Sequence, residues 1–249
     1  MRATHQRGFT LLELMIAMTI GIFLAGALVT VVQSNKAVFL NQNQLEQMQD
    51  SQRMAMTLMT DVIQAAGYFP SPTINTLSGS LVASGAFANS QAITGQYVAG
   101  VPGDTISVRY MTAPQDGILN CSGLSNTNPV GGANILYANQ FAVVAGVPSG
   151  QLVCTVSTVN GTTAYTLVNG VTNLSVLYGV KTNLAAAGNN VDTYLNASQM
   201  SAANWQSVIS VLIKVTFTNP LYTAAGQGQA QFITIQRVVD VMNQTGPTT

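Results

Sequence analysis

Residues 9–32 read FTLLELMIAMTIGIFLAGALVTVV, and this run decides how the rest of the chain is read. Its one charged residue is Glu13. As an α-helix rising 1.5 Å per residue it spans roughly 36 Å, enough to cross a hydrocarbon core of about 30 Å. The preceding residues, Met-Arg-Ala-Thr-His-Gln-Arg-Gly (1–8), are polar and carry Arg2 and Arg7. Basic flanks stay on the cytoplasmic side of a span. Residues 1–8 are therefore expected as a cytoplasmic leader, 9–32 as the transmembrane half of a helix, and everything after Val32 as exported. An ordinary secretory signal peptide cut near Ala25-Gly26-Ala27 is the competing reading, as is a plain membrane anchor. The length of the apolar run and its glutamate count against the signal peptide.

Glu13 is the oddity. A carboxylate in a membrane span costs about 2.5–3.5 kcal/mol at the bilayer centre and less toward the edge. Either Glu13 sits near the interface and reaches headgroups, or it needs a positive partner inside an apolar environment.

The stretch Arg7-Gly8-Phe9-Thr10-Leu11-Leu12-Glu13-Leu14, followed by the long apolar run, resembles the N-terminal signal of type IV prepilins and type II secretion pseudopilins. The resemblance implies cleavage between Gly8 and Phe9 by a membrane prepilin peptidase, and N-methylation of the new N-terminus at Phe9. It implies that Glu13, four residues on, pairs with the Phe9 α-amine of a neighbouring subunit. A free α-amine has a pKa near 8 and is cationic at neutral pH. Two buried opposite charges favour one axial stagger, because either alone is heavily penalised. Glu13 is thus expected to set subunit register in assembly. The implied location is the inner membrane, with the C-terminal domain periplasmic, and then the pilus at the cell surface.

The chain has no proline before Pro70, and from Gln33 to Ala66 a polar sequence carries an apolar stripe: Leu45, Met48, Ala55, Leu58, Met59, Val62 and Ala66. The gaps are largely helical. One helix is expected from Phe9 to Ala66, roughly 85 Å long, with 33–67 as its periplasmic amphipathic half. Gly67 suits a C-terminal cap, and Pro70 and Pro72 bar continuation. Gly21 and Gly26 suit close helix packing, or simply reflect the frequency of glycine in membrane helices.

Residues 68–249 change character, with Gly, Ser, Thr and Asn separating short alternating runs. Strands are expected at Thr105–Thr112, Asn134–Ala145, Gln151–Val159, Ala164–Val168, Leu174–Val180, Val208–Thr218 and Gln231–Met242. Ile209, Val211, Ile213, Val215 and Phe217 make one clean face. No helical pattern intervenes, so the sheet should be mainly antiparallel. Segments 68–103 and 182–205 read as loop-like. The fold class is α+β and pilin-like: a long N-terminal helix packed on a β-rich globular domain.

Hydrophobic residues make up 47% of the chain and charged residues 6%, with zero formal net charge. An average soluble domain is roughly 25% charged. No basic field is present to hold nucleic acid by counterion release, so direct nucleic-acid binding is not expected. The two cysteines, Cys121 and Cys154, lie in the exported part, where a disulfide is favoured. Closing that loop stabilises by roughly 3–4 kcal/mol.

The stretch Leu45-Glu46-Gln47…Arg53-Met54-Ala55…Leu58…Asp61-Val62…Ala65-Ala66-Gly67-Tyr68 is similar to the helix end of PilW-type minor pilins. So is Leu167-Val168-Asn169-Gly170-Val171…Leu174…Tyr178-Gly179-Val180, followed by Trp205…Val208…Val211. The implied role is a minor pilin in a tip complex that initiates the filament. Its implied partners are the prepilin peptidase, other minor pilins, the major pilin, the inner-membrane assembly platform and membrane lipid. The alternatives are a J-type minor pseudopilin of type II secretion, or a tip adhesin or DNA-uptake pilin whose site would lie in 68–103 or 182–205.

Enzymatic readings find little support. The only histidine is His5, in the leader, which removes Ser-His and Cys-His nucleophiles from the mature chain and the usual zinc sites. Asp104, Asp116, Asp192 and Asp240 are scattered, and no nucleotide fingerprint is present. No catalytic residue, metal or cofactor is expected.

Overall fold

The computed structural model describes residues 10–146, 150–183, 188, 190–222 and 228–242. The chain divides into two compact units, Met1–Gln47 and Met48–Thr249.

The first unit holds the beginning of helix α1 (Leu11–Gln64). Its apolar side chains are left open among the described residues: Phe23 is 85% exposed, and Leu11, Ile16, Ile22 and Leu28 are also exposed. The most apolar window has a mean hydropathy of 2.4 and is 0% buried. A helix apolar on all sides needs lipid or other helices around it. A Cβ built at Gly21 or Gly26 would meet nothing within 4 Å, so nothing inside the single chain demands glycine there.

In the second unit the end of α1 buries Ala55, Met56, Met59, Val62 and Ile63, with Ala66 just beyond it. The expected stripe is present from Ala55 onward; Met56 and Ile63 widen it, and Leu58 is half-buried. The helix stops at Gln64, short of the expected Ala66. Gly67 has φ 77, the left-handed turn expected of a cap. Its N–H donates to the Arg109 carbonyl at 3.0 Å, and the Met111 N–H donates to the Tyr68 carbonyl at 2.8 Å. The helix exit is thereby tied to a strand.

That strand belongs to the first of two sheets. Sheet one runs in the order β1 (Ile93–Gln96), β2 (Thr105–Thr112), β3 (Ile135–Val144), β4 (Gln151–Thr158) and β5 (Gly161–Asn169). Sheet two runs β7 (Thr193–Leu195), β6 (Val171–Val180), β8 (Val208–Thr218) and β9 (Phe232–Asp240). Every ladder is antiparallel, as expected of strands joined without crossover helices. The seven expected strands are present with ends moved by up to three residues. The single expected sheet is two sheets.

The segments read as loop-like need correction. Residues 68–103 contain α2 (Leu77–Ser80) and β1, and 182–205 contain β7, a 3-10 helix (Ala197–Gln199) and the start of α3 (Ala202–Gln206). Strands of three or four residues carry too little alternation to be read from sequence. The expected strand face of β8 is buried at Ile209, Val211, Ile213, Val215 and Phe217.

One apolar core lies between these layers. It joins Met59 and Ile63 of α1, Ile106, Val108, Phe141 and Leu152 of sheet one, and Leu174, Val176, Val211 and Ile213 of sheet two. Full burial of each such side chain is worth about 1.5–3 kcal/mol. Tyr178 of β6 meets the Trp205 ring edge-on at 4.8 Å. Its hydroxyl lies so close to Gly95 of β1 that a Cβ there would overlap it. Asp104 clips the β1–β2 connection to sheet two: its carboxylate accepts from the Val98 N–H at 3.0 Å and the Val176 N–H at 2.8 Å.

Cys121, in the β2–β3 connection, is bonded to Cys154 of β4 across a separation of 33 residues, and both are buried. The Cys121 N–H also donates to Oδ1 of Asn139 at 3.0 Å. The double replacement Cys121→Ser with Cys154→Ser should cost about 3 kcal/mol and free the 113–134 connection first. Urea unfolding with and without reductant measures this; a midpoint that does not move would remove the bond from the stability argument.

Arg109, on β2, is 1% exposed and bonds to no carboxylate among the described residues. Its Nε donates to Gln91 O at 2.6 Å, its Nη1 to Val82 O at 2.6 Å, and its Nη2 to Leu81 O at 3.0 Å and Ala88 O at 2.6 Å. The Phe87 ring lies 4.7 Å from the guanidinium carbon. One cation thus gathers residues 81–91 against sheet one. Burial pulls its pKa down to about 10. Arg109→Met should destabilise by about 2–4 kcal/mol by orphaning buried carbonyls. Arg109→Lys should not rescue it, because a point charge cannot replace the planar fork. Denaturant midpoints and amide exchange over 81–91 check both variants.

Candidate assembly site at the start of the helix

Helix α1 begins with a polar pair in an otherwise apolar run. The Thr10 N–H donates to Oε2 of Glu13 at 3.0 Å, and the Thr10 hydroxyl donates to the same oxygen at 3.1 Å. In return the Glu13 N–H donates to the Thr10 hydroxyl oxygen at 3.3 Å. This reciprocal arrangement is a capping box. It satisfies backbone donors that a helix start leaves open, and it sets a carboxylate at the positive end of the helix dipole. The Thr-x-x-Glu spacing marks such a box in the sequence, a role beside the two expected of Glu13, reaching headgroups or meeting a positive partner.

The carboxylate remains exposed, and no ion pair involves it among the described residues. Hydrogen bonds from Thr10 hold it in place without neutralising its charge. An arriving cation would meet an oriented acceptor at the end of an uncovered apolar helix. Gly8 and Phe9, expected to flank the cleaved bond and to supply the methylated amine, lie outside the described residues.

The other sites expected from sequence fall in the second unit. Cys121 and Cys154 are joined as described. Asp104, Asp116 and Asp192 serve loops. The Asp116 carboxylate accepts from the Ala113 N–H at 2.7 Å and the Ile118 N–H at 3.1 Å. Asp192 accepts from the N–H groups of Asn183 and Thr182 and from the Thr182 hydroxyl, and the two backbone N–H groups hold its carboxyl below the usual carboxylate range. Asp240 ends β9. Among the described residues, no three His, Cys, Asp or Glu side chains converge on a metal site. Arg109 escaped sequence reading because the carbonyls it gathers come from residues 18–28 positions earlier, with no motif to mark them.

Comparison with known proteins agrees with the geometry at both ends of the chain. Residues 3–29 match the family model described as the prokaryotic N-terminal methylation motif, which spans the Thr10–Glu13 box. Residues 140–246 match the model described as type IV pilus-assembly protein W, a stretch that takes in the second half of β3 and all of β4 to β9. No curated protein and no solved structure matches. A methylation-type N-terminus on an apolar helix and a stretch that matches the PilW model in the β domain make the chain similar to type IV prepilins, and to PilW-type minor pilins among them.

Proposed function

We propose that this protein is a minor pilin cut by prepilin peptidase between Gly8 and Phe9 and methylated at Phe9. It then takes part in starting and building a type IV pilus within a tip complex. The observation that carries the proposal is the oriented Glu13 carboxylate beside an exposed apolar helix. A charge held at that place has no use within one chain beyond capping. Between chains it rewards the single stagger that brings an α-amine to it. Before assembly the apolar half resides in the inner membrane, with the β domain on the periplasmic side, where the Cys121–Cys154 bond is chemically at home. The working partners are the peptidase, the assembly platform, the major pilin and the other minor pilins.

Deletion of the gene tests this reading. Surface pili and twitching should fall together while exoprotein release continues. Normal piliation with a block in exoprotein release would instead assign the chain to type II secretion.

A further inference from the structure

The face of sheet one that carries Arg109 holds a cavity of about 370 Å³. Its floor is two cross-strand rows. In one, Arg109, Ala138 and Ser157 lie side by side on β2, β3 and β4; in the next, Ser107, Gln140 and Thr155 do. The loop of residues 82–87, held in by Arg109, forms the wall.

The chemistry of these rows is one-sided. The small side chain of Ala138, between two larger neighbours, leaves the depression. The side chains of Ser107, Gln140 and Thr155 make no hydrogen bond within the described residues, and Ser157 makes one, with Thr162 at 3.0 Å. A sheet face covered only by water would serve equally well with charged residues, but no carboxylate or amine lines this cavity among the described residues. The one formal charge is the Arg109 guanidinium. Four carbonyls satisfy its hydrogen bonds but leave its net charge uncancelled, and four contacts leave one of five N–H groups unspent. A buried cation with no counter-ion among the described residues makes the neighbouring space positive, more strongly than an exposed one would. Hydroxyl and amide donors beside it suit an anion and the hydroxyls attached to it. The volume falls within the range of small-molecule sites.

We infer that this cavity binds a small polyhydroxylated anion, of the class of a sugar acid or a sugar phosphate. The anionic group lies toward the Arg109–Ser157 row, and the hydroxyls lie along Ser107, Gln140 and Thr155. Arg109, covered by Phe87, acts through its field rather than by a direct two-pronged grip.

The test is calorimetric titration of the full-length protein in detergent micelles with glucuronate, glucose 6-phosphate and glucose at constant ionic strength. At least one anion should bind about tenfold more tightly than glucose. Gln140→Glu places a carboxylate at an exposed position in the cavity and should weaken the anion at least about tenfold, with the thermal midpoint unchanged. Ala138→Leu should fill the floor and weaken it similarly. The inference is overturned by no binding of either anion, by glucose binding as tightly as the anions, or by anion binding that neither substitution changes. None of these outcomes bears on piliation, so the assembly reading stands or falls separately.

Discussion

Glu13→Leu should leave the leader cut and yet reduce the protein recovered in sheared filaments by at least about tenfold. The structure gives this side chain one role, a cap, and the proposed assembly gives it a second, a charge. As a cap, its carboxylate takes hydrogen bonds from the Thr10 N–H and hydroxyl; losing a cap of this kind costs about 1 kcal/mol and frays one turn. As a charge, it sits uncompensated by any ion pair within the described residues, and the α-amine that the proposed cut would release at Phe9 is cationic at neutral pH. Thr10→Val removes the threonine half of the box and keeps the charge. Glu13→Gln keeps an acceptor for Thr10 and removes the charge. If pairing between subunits is what matters, Glu13→Gln fails nearly as badly as Glu13→Leu, while Thr10→Val assembles at close to the normal level. Immunoblots of sheared filaments against whole-cell protein measure all three. Equal damage from Thr10→Val and Glu13→Leu would reduce Glu13 to a helix cap.

Gly8→Val should give the other near-complete loss, one step earlier: full-length precursor held in the membrane and no mature form. A peptidase must bring its catalytic groups against the backbone at the bond it cuts. Glycine allows that approach because it lacks a Cβ, whereas valine is β-branched and stiff at χ1. Without the cut, Phe9 has no free amine, and Glu13 loses the partner proposed for it. Gly8→Val and Glu13→Leu therefore end in the same assembly defect but differ in the band on the gel. N-terminal sequencing of the wild-type protein should begin at Phe9; any other start would sink both predictions.

Much of the fold was open to reading before any coordinates. An apolar run with one acid, a proline-free stretch up to Pro70 and alternation in β8 are local patterns, and each states its own secondary structure. The PilW-type similarity rested on residues 45–68, 167–180 and 205–211, which the structure places in the end of α1 and its exit, in β5 and β6, and in α3 and β8. The box at Thr10 was equally local and could have been read from its spacing. Arg109 could not. In sequence it is one charged residue in an otherwise uncharged strand, and nothing in Thr105–Thr112 says that four carbonyls from residues 81–91 will close around it. The cavity beside it was equally hidden, because Ala138, Ser157, Gln140 and Thr155 become neighbours only through the register of β3 against β4.

The sequence by itself determined most of the elements: a helix apolar enough to cross a membrane, an acid near its start, and the longer strands of alternating residues. These follow from periodicity and charge over a few consecutive residues. Only the tertiary structure decided that the strands divide into two sheets, that α1 from Ala55 onward packs with both in one core, and that a lone guanidinium pins residues 81–91 over a cavity. Those outcomes depend on which distant segments bury one another's surface and satisfy one another's hydrogen bonds. That is a property of the whole chain at close packing, which no short window contains.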